Sequence, residues 1–315
     1  MPDGVAALAR LGIEIGPADS FPFAGIRFLD RGVTVAARFP TGPGLGVRRT
    51  TLHRILVEHA ESLGVELHWA TRVNPKSLRG DWIIGADGGN SAVRKWSRLE
   101  QGMRERRRFG FCRHYRLAPW TEFMEVYWGA RCQVYITPVA PDSVCVVAIS
   151  RDAHLRLDEA LREFPQLARR LPANAIISSD RGAVSAGREL RTVASGRVAL
   201  VGDASGSVDA ITGEGLCLAF RHAIAVVDAI AAGDLAEYPY EHRKMARRPA
   251  RMGKLLVALE DHLRVRRGAM VALAKRPQIF AKLLEIHVGA ANEIDPFPDA
   301  AIDASVICAG DHTTI

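Results

Sequence analysis

The sequence holds little that would anchor a metal or staple a small fold. Its five cysteines, Cys112, Cys132, Cys145, Cys217 and Cys308, are scattered and form no C-x-x-C pair. Neither a zinc knuckle nor a redox dithiol is signalled, and no metal is expected. The histidines do not cluster at ligand spacing; His53 and His59 are six apart and do not share a helix face as an i, i+4 pair would. No G-x-S-x-G elbow appears, although a Ser-His-Asp arrangement stays open. The N-terminus shows no signal peptide, and no window spans a bilayer cleanly. A reducing, cytoplasmic setting is therefore expected. Basic runs occur, but without interleaved aromatics, so no nucleic-acid partner is expected. There is no internal repeat and no low-complexity tract.

What is present suits a packed globular protein. The 315 residues are 48% hydrophobic and 24% charged, enough for one large domain or two ordinary ones. A net charge of +7 points weakly to anionic ligands or surfaces. The most informative stretch runs from Arg197 to Arg221. Val198 to Val201 reads as a buried strand, Gly202-Asp203 as a turn, and Thr212-Gly213-Glu214-Gly215 as a loop into a long apolar helix, Leu216 to Ala232, with Gly233 as its C-cap. A helix start with free N–H groups is an anion site. An Asp at a strand end can accept hydrogen bonds from hydroxyls. Together they suit a flavin dinucleotide. Cys217, inside that helix, reads as packing.

Upstream, Asp3 is expected to cap a short helix ended by Gly12. Arg27 to Phe39 reads as a hairpin around Asp30-Arg31-Gly32. Gly42 to Gly46 reads as a tight or mobile loop rather than a phosphate loop, because no apolar strand precedes it. Thr50 or Thr51 is expected to cap a helix carrying Leu52, Ile55, Leu56, Ala60 and Leu63. Val65, Leu67 and Trp69 alternate as a strand. Trp82-Ile83-Ile84 is a buried strand, followed by Gly85-Ala86-Asp87-Gly88-Gly89-Asn90-Ser91-Ala92-Val93-Arg94. Arg104 to Arg108 reads as a solvated basic run. Phe123–Trp128, 131–139 and 144–149 read as an antiparallel meander that could wall a substrate, with helical pattern again at 158–171. After Gly233 the chain is helical and basic, with Arg243, Lys244, Arg247, Arg248, Arg251, Lys254, Arg264, Arg266 and Arg267. Two readings stay open there: a solvated face on packed helices, or peripheral contact with anionic lipid. The last fifteen residues look irregular.

Two motifs in this order resemble the FAD-dependent hydroxylases (group A flavoprotein monooxygenases), a superfamily that includes geranylgeranyl reductases and flavin halogenases. They are G-A-D-G-x-x-S-x-V-R at 85–94 and G-D-A at 202–204 with its Gly-Glu-Gly loop; R-x-x-L at Arg49–Leu52 is a weaker third. The resemblance covers roughly residues 1–285. It implies an α/β protein: a three-layer, Rossmann-like FAD/NAD(P)-binding domain, an inserted antiparallel substrate sheet and a helical C-terminal tail. The expected division is 1–99 and 191–233 for the FAD-binding parts, with the 22–40 hairpin joining the substrate sheet. The substrate sheet takes 100–190, and helices and tail take 234–315.

The resemblance also implies site roles. Gly202 and Asp203 should meet the ribityl chain, and the N–H groups of Gly213, Glu214, Gly215 and Leu216 the pyrimidine edge of the flavin. Asp87 and Gly88 should lie near the pyrophosphate and a passing nicotinamide, and Arg49 near the phosphates. FAD is the implied cofactor and NAD(P)H the implied reductant. The substrate is expected to be a small or prenyl/lipid-like molecule, and no side chain is assigned as catalytic. The His after G-D-A-A and the Pro before the glycine loop are replaced by Ser205-Gly206 and Ala210, which resembles the reductase branch. The halogenase W-x-W-x-I-P signature is absent. A C=C reductase and a non-catalytic ligand-binding relative are the alternatives. The family opens on a strand, G-x-G-x-x-G and a helix, and Met1 begins beyond that unit. The expectation is an upstream segment of about 35–45 residues carrying it, and weak hold on FAD without it.

Overall fold

A computed structural model describes residues 1–101 and 103–289. In chain order the elements are α1 (Pro2–Arg10), β1 (Phe21–Phe23), β2 (Gly25–Asp30), β3 (Val33–Arg38), β4 (Gly44–Gly46), α2 (Arg49–Ser62), β5 (Ile83–Gly85), α3 (Ala92–Trp96) and β6 (Arg104–Tyr115). Then come β7 (Phe123–Trp128), β8 (Cys132–Ala140), β9 (Ser143–Ser150), α4 (Leu157–Arg162), α5 (Pro165–Arg170), β10 (Arg181–Glu189), β11 (Ala194–Ser195) and β12 (Val198–Leu200). Four helices close the described chain: α6 (Gly215–Ala231), α7 (Tyr238–Asp261), α8 (Leu263–Lys275) and α9 (Pro277–Val288).

Three layers meet at β12. The small sheet has the order β11-β12-β5, with β12 and β5 parallel. Val198 and Leu200 pack with Ile83, Val93 and Leu99, the last two from α3 and the residues after it. Ala199 and Val201 pack on the other side with Val226 of α6 and Tyr238 of α7. A strand covered on both faces must be apolar at every position, as Val198 to Val201 is. The Tyr238 hydroxyl donates to the Leu200 carbonyl at 2.7 Å, so the ring is buried without an unpaired polar tip.

The large sheet has the order β10-β6-β9-β8-β7-β2-β3 and is antiparallel except where β2 runs beside β7. Side chains alternate between its faces. One face sends Tyr115, Val134, Ile136 and Val146 against Leu157, Leu161 and Leu167 of α4 and α5. The β7-β2-β3 end of the other face packs Ile26, Val35 and Trp128 against Met270, Phe280 and Leu284 of α8 and α9.

Several sequence expectations give way here. Residues 65–69 join no strand, and Trp69 is 59% exposed; alternation makes a strand only where a neighbour completes the ladder. Pro2 opens α1, so Met1 occupies the cap position and Asp3 lies buried in the first turn. Helix α2 starts at Arg49 with Arg48 before it, placing Thr50 and Thr51 inside the first turn. Gly44 to Gly46 pair with β1 as β4. Arg104 to Arg108 form the start of β6, and Arg108 is buried. Arg266, from the basic tail, is buried against Asp30 at 2.9 Å. The irregular end expected over the last fifteen residues lies outside the described residues.

Candidate functional site

The two parallel strands β5 and β12 end side by side, and each runs into one of the two motif loops. After β5, Asp87 folds its carboxylate onto the start of α3. Its Oδ2 accepts from the N–H groups of Ala92 (2.6 Å) and Val93 (3.2 Å). Burial pushes the Asp87 pKa up, but hydrogen bonds from Ser91, Val93 and Ala92 outweigh it and hold the carboxyl below its ordinary value. Ser91 caps the same helix, accepting from Arg94 N at 2.9 Å.

Arg94 ties this loop to the other. It is 2% exposed and donates to the Ala204 carbonyl (3.0 Å) and the Gly89 carbonyl (2.6 Å). One guanidinium thus spans the G-A-D-G and G-D-A segments. Behind Ala204, Ser205 donates to the Gly202 carbonyl at 2.7 Å and stands 2.8 Å from His242 Nε2. The His222 and His242 rings stack at 4.1 Å, and both are buried. Ser205 is itself buried, so this Ser-His pair supports the loop and does not face a substrate.

The 207–213 segment is clamped to the large sheet. Tyr135 Oη donates to the Ile211 carbonyl at 3.1 Å. Arg108 donates to Asp209 and, through both terminal nitrogens, to Glu260 at 2.9 and 2.7 Å. Burial alone would lower the Arg108 pKa; the hydrogen bonds and charges of Glu260 and Asp209 outweigh it, so the guanidinium stays charged. Gly213 then takes φ +69°, a left-handed turn that admits glycine readily, and α6 begins.

At that start the N–H groups of Gly215 and Leu216 have no acceptor among the described residues. Those of Gly213 and Glu214 are used locally, by the Ala210 carbonyl and by Thr212 Oγ1. A Cβ placed on Gly213 or Gly215 would meet nothing within 4 Å. Asp203 is exposed, and its carboxylate has no partner among the described residues. An open backbone, two free donors and a free carboxylate thus lie around one loop system. This donor set fits a flavin, which offers hydroxyls to accept from and an edge that gains negative charge.

The nine expected site residues divide accordingly. Gly202, Asp203, Gly213, Gly215 and Leu216 belong to this open rim, and Asp87 and Gly88 to the neighbouring loop joined to it by Arg94. The Glu214 side chain leaves the rim: it is 1% exposed and turns inward beside Asp3 and His287. Burial first, then Asp3, pushes its pKa up to about 8. Burial pulls His287 down to about 4. Their 3.6 Å contact is therefore between largely uncharged groups at neutral pH. Arg49 is exposed at the start of α2 and makes no hydrogen bond or ion pair among the described residues. Its helix joins α6 through Leu52, Ile55 and Leu56, which pack in one cluster with Phe220 of α6. Arg94, Arg108, Asp209 and Tyr135 were not among the expected residues. Arg94 ends the ten-residue motif and could have been taken from it. Arg108 meets partners 101 and 152 residues away, which no local pattern reveals.

A model of the FAD binding domain matches residues 74–233. No curated protein matches the chain. Among solved structures, the fold is similar to flavin-dependent brominase Bmp2, at 15% identity over 91% of this chain and 82% of that one, with a TM-score of 0.70. It is similar to Klebsiella pneumoniae HpxO complexed with FAD and uric acid, at 18% identity over 92% and 87%, TM-score 0.70. It is also similar to the tetrameric form of 2-methyl-3-hydroxypyridine-5-carboxylic acid oxygenase, at 19% identity over 90% and 83%, TM-score 0.68. These likenesses carry the fold. The family match spans half of the chain, includes both motif loops, and shows that the chain belongs to the FAD binding domain family.

Proposed function

We propose that this chain holds FAD between the Asp203 turn and the start of α6, and serves a flavin-dependent oxidoreductase of the hydroxylase type. The substrate would be a small or lipid-like organic molecule and the reductant NAD(P)H. The observation that carries the reading is the set of unpaired groups around one open loop system: the Asp203 carboxylate and the Gly215 and Leu216 N–H groups. Bound FAD supplies hydride acceptance and, once reduced, oxygen chemistry. The chain's own residues bind and orient. Asp203 accepts from hydroxyls of the bound molecule. The α6 start, with about half a positive charge, stabilises negative charge arising at the adjacent ligand edge. Arg94 keeps the two loops at fixed spacing, and Arg108 and Tyr135 hold the loop against the substrate sheet. Arg49 and Gly88 are assigned to the phosphate side of the same ligand.

Asp203→Ala should weaken FAD binding at least roughly tenfold, because a charge-assisted hydrogen bond contributes about 1.5–3 kcal/mol. Flavin fluorescence quenching reads this directly, and an unchanged titration would remove Asp203 from the site. Gly215→Val should leave the fold intact, since its side chain enters open space. It should nevertheless expel the flavin or lower its midpoint potential. Wild-type occupancy and potential in that variant would defeat the proposed geometry.

A C=C reductase is the second reading, favoured by Ser205-Gly206 and Thr212-Gly213-Glu214-Gly215. Oxygen uptake stoichiometric with product supports hydroxylation, and anaerobic turnover supports reduction. A colourless protein that still binds an apolar ligand supports the non-catalytic relative. Peripheral membrane contact belongs to the proposal as well. Leu263, Val265, Ile279 and Ile286 are exposed on α8 and α9 among Arg264, Arg267 and Arg276. No helix of the described residues is long and apolar enough to cross a membrane.

A further inference from the structure

Two of the scattered cysteines meet on the large sheet. Cys112 and His114 are two apart on β6, so both side chains leave the same face. His114 lies directly opposite Cys145 on β9. The Cys112 and Cys145 sulfurs are 3.4 Å apart, and one ligand atom from each of Cys112, His114 and Cys145 falls within 4.8 Å of the others. Three donor side chains converge although no ligand spacing is visible along the chain.

We propose that Cys112, His114 and Cys145 form a three-ligand site for a soft metal ion of the Zn2+ class, with a fourth position open to water or an anion. Two thiolates and one imidazole are the donors that select zinc over calcium or magnesium. With Zn–S bonds of about 2.3 Å, two sulfurs on a tetrahedral centre stand roughly 3.8 Å apart. The observed 3.4 Å needs only a small adjustment. Neither nitrogen of the His114 ring has a partner among the described residues, so one is free to coordinate.

The backbone around these residues is rigid. Strand β6 is flanked by β10 and β9, and β9 by β6 and β8, so each ligand sits on a strand paired along both edges. Sites built on such elements hold their geometry better than sites on loops. All three residues are half-buried, which leaves room for a fourth ligand. Two thiolates cancel the charge of a divalent ion, so Arg48 and Arg181 do not oppose binding and favour an anion in the open position. Cys112 and Cys145 sit diagonally across the β6–β9 pair, with Cys112 opposite Val147 and Cys145 opposite His114. A metal bridges the two sulfurs without moving either strand.

The test uses the full chain kept reduced with a phosphine. Titration with Co2+ should give one equivalent bound, with a thiolate-to-metal band in the near ultraviolet and ligand-field bands in the red, beyond flavin absorption. One equivalent of Zn2+ should bleach both. Cys112→Ser and Cys145→Ser should each weaken binding by more than roughly 100-fold, beyond the 10–100-fold that outer partners contribute. Cys217→Ser should change nothing, which separates this site from the buried Asp3, Glu214 and Cys217 group. If a serine variant misfolds, alkylation of the unaltered chain decides: stoichiometric Zn2+ should protect Cys112 and Cys145 from iodoacetamide. The absence of a thiolate band, a band surviving in Cys112→Ser, a band lost in Cys217→Ser, or equal alkylation with and without Zn2+ each overturns the proposal.

Discussion

Arg108→Met should cost about 3–5 kcal/mol of stability, the range for breaking a buried ion pair from one side. Arg108 is 2% exposed and neutralises both Asp209 and Glu260. Without it, two carboxylates remain together in a site with little water. Glu260 keeps Arg151 at 2.8 Å and Gln133 at 3.2 Å, but Asp209 loses its cation. The loss should not be confined to stability. Asp209 also accepts from Ile211 N at 3.1 Å and shapes the turn before Gly213, so FAD affinity should fall with it. Urea unfolding measures the first effect and flavin titration the second. Adding Asp209→Asn and Glu260→Gln to Arg108→Met should restore part of the stability, because the variant then buries no unpaired charge. A loss below about 1 kcal/mol, within the range of an ordinary surface ion pair, would show that Arg108 is not the joint between sheet and loop.

The second large effect is a loss of stability in mild acid. His222, His242 and His287 are buried. Burial, then His242 and Arg221, keep His222 well below its ordinary pKa of 6.5. Burial brings His242 and His287 to about 4. In the unfolded chain these imidazoles take up protons below about 6.5, while native His242 and His287 stay neutral to about 4 and His222 is held well below its ordinary value. Folding stability is therefore present above pH 6.5 and lost as the pH falls toward 4. For His242 and His287 a full displacement of this size is worth on the order of 3 kcal/mol each, and His222 acts in the same direction. Glu214 acts with the opposite sign. Its native pKa near 8 makes stability decline as the pH rises from the ordinary carboxyl range to 8. Three histidines outweigh one carboxyl below pH 6.5, and Glu214 acts without them above it. Maximum stability is thus expected near pH 6.5, with a steep fall by pH 4.5. Urea midpoints across pH 4.5–8 test this, and His242→Asn should flatten the acid limb. A midpoint that stays level from pH 7 to 5 would mean these rings are protonated in the native protein.

Much of the framework was legible along the chain because its signals are local. Val198 to Val201 is apolar at every position and forms the strand buried on two sides. The β7, β8 and β9 strands alternate, and their bounds fall within a residue or so of the alternation. The Arg31-Gly32 turn, the loop at Gly213 and the long apolar run of α6 announce themselves through turn chemistry and periodicity. The same rules overreach where a partner is needed. Val65 to Trp69 alternates as well as β7 does, yet no neighbouring strand among the described residues completes its hydrogen bonds.

Long-range contact alone decided the rest. Composition marks Arg104 to Arg108 as one solvated run, but Arg108, on the same face of β6 as Arg106, is covered where Asp209 and Glu260 meet it, while Arg106 and Arg107 stay exposed. Glu214 lies between two glycines of the open rim, yet its side chain leaves on the other side of the helix start, where burial keeps it protonated. Cys112 and Cys145 stand 33 residues apart with nothing in their spacing to join them, and the register of β6 against β9 brings their sulfurs together. Periodicity reports which face a side chain takes on its own element. Which partner waits on that face is set by how the elements pair and pack, and for Arg108, Glu214 and Cys112 that partner lies far along the chain.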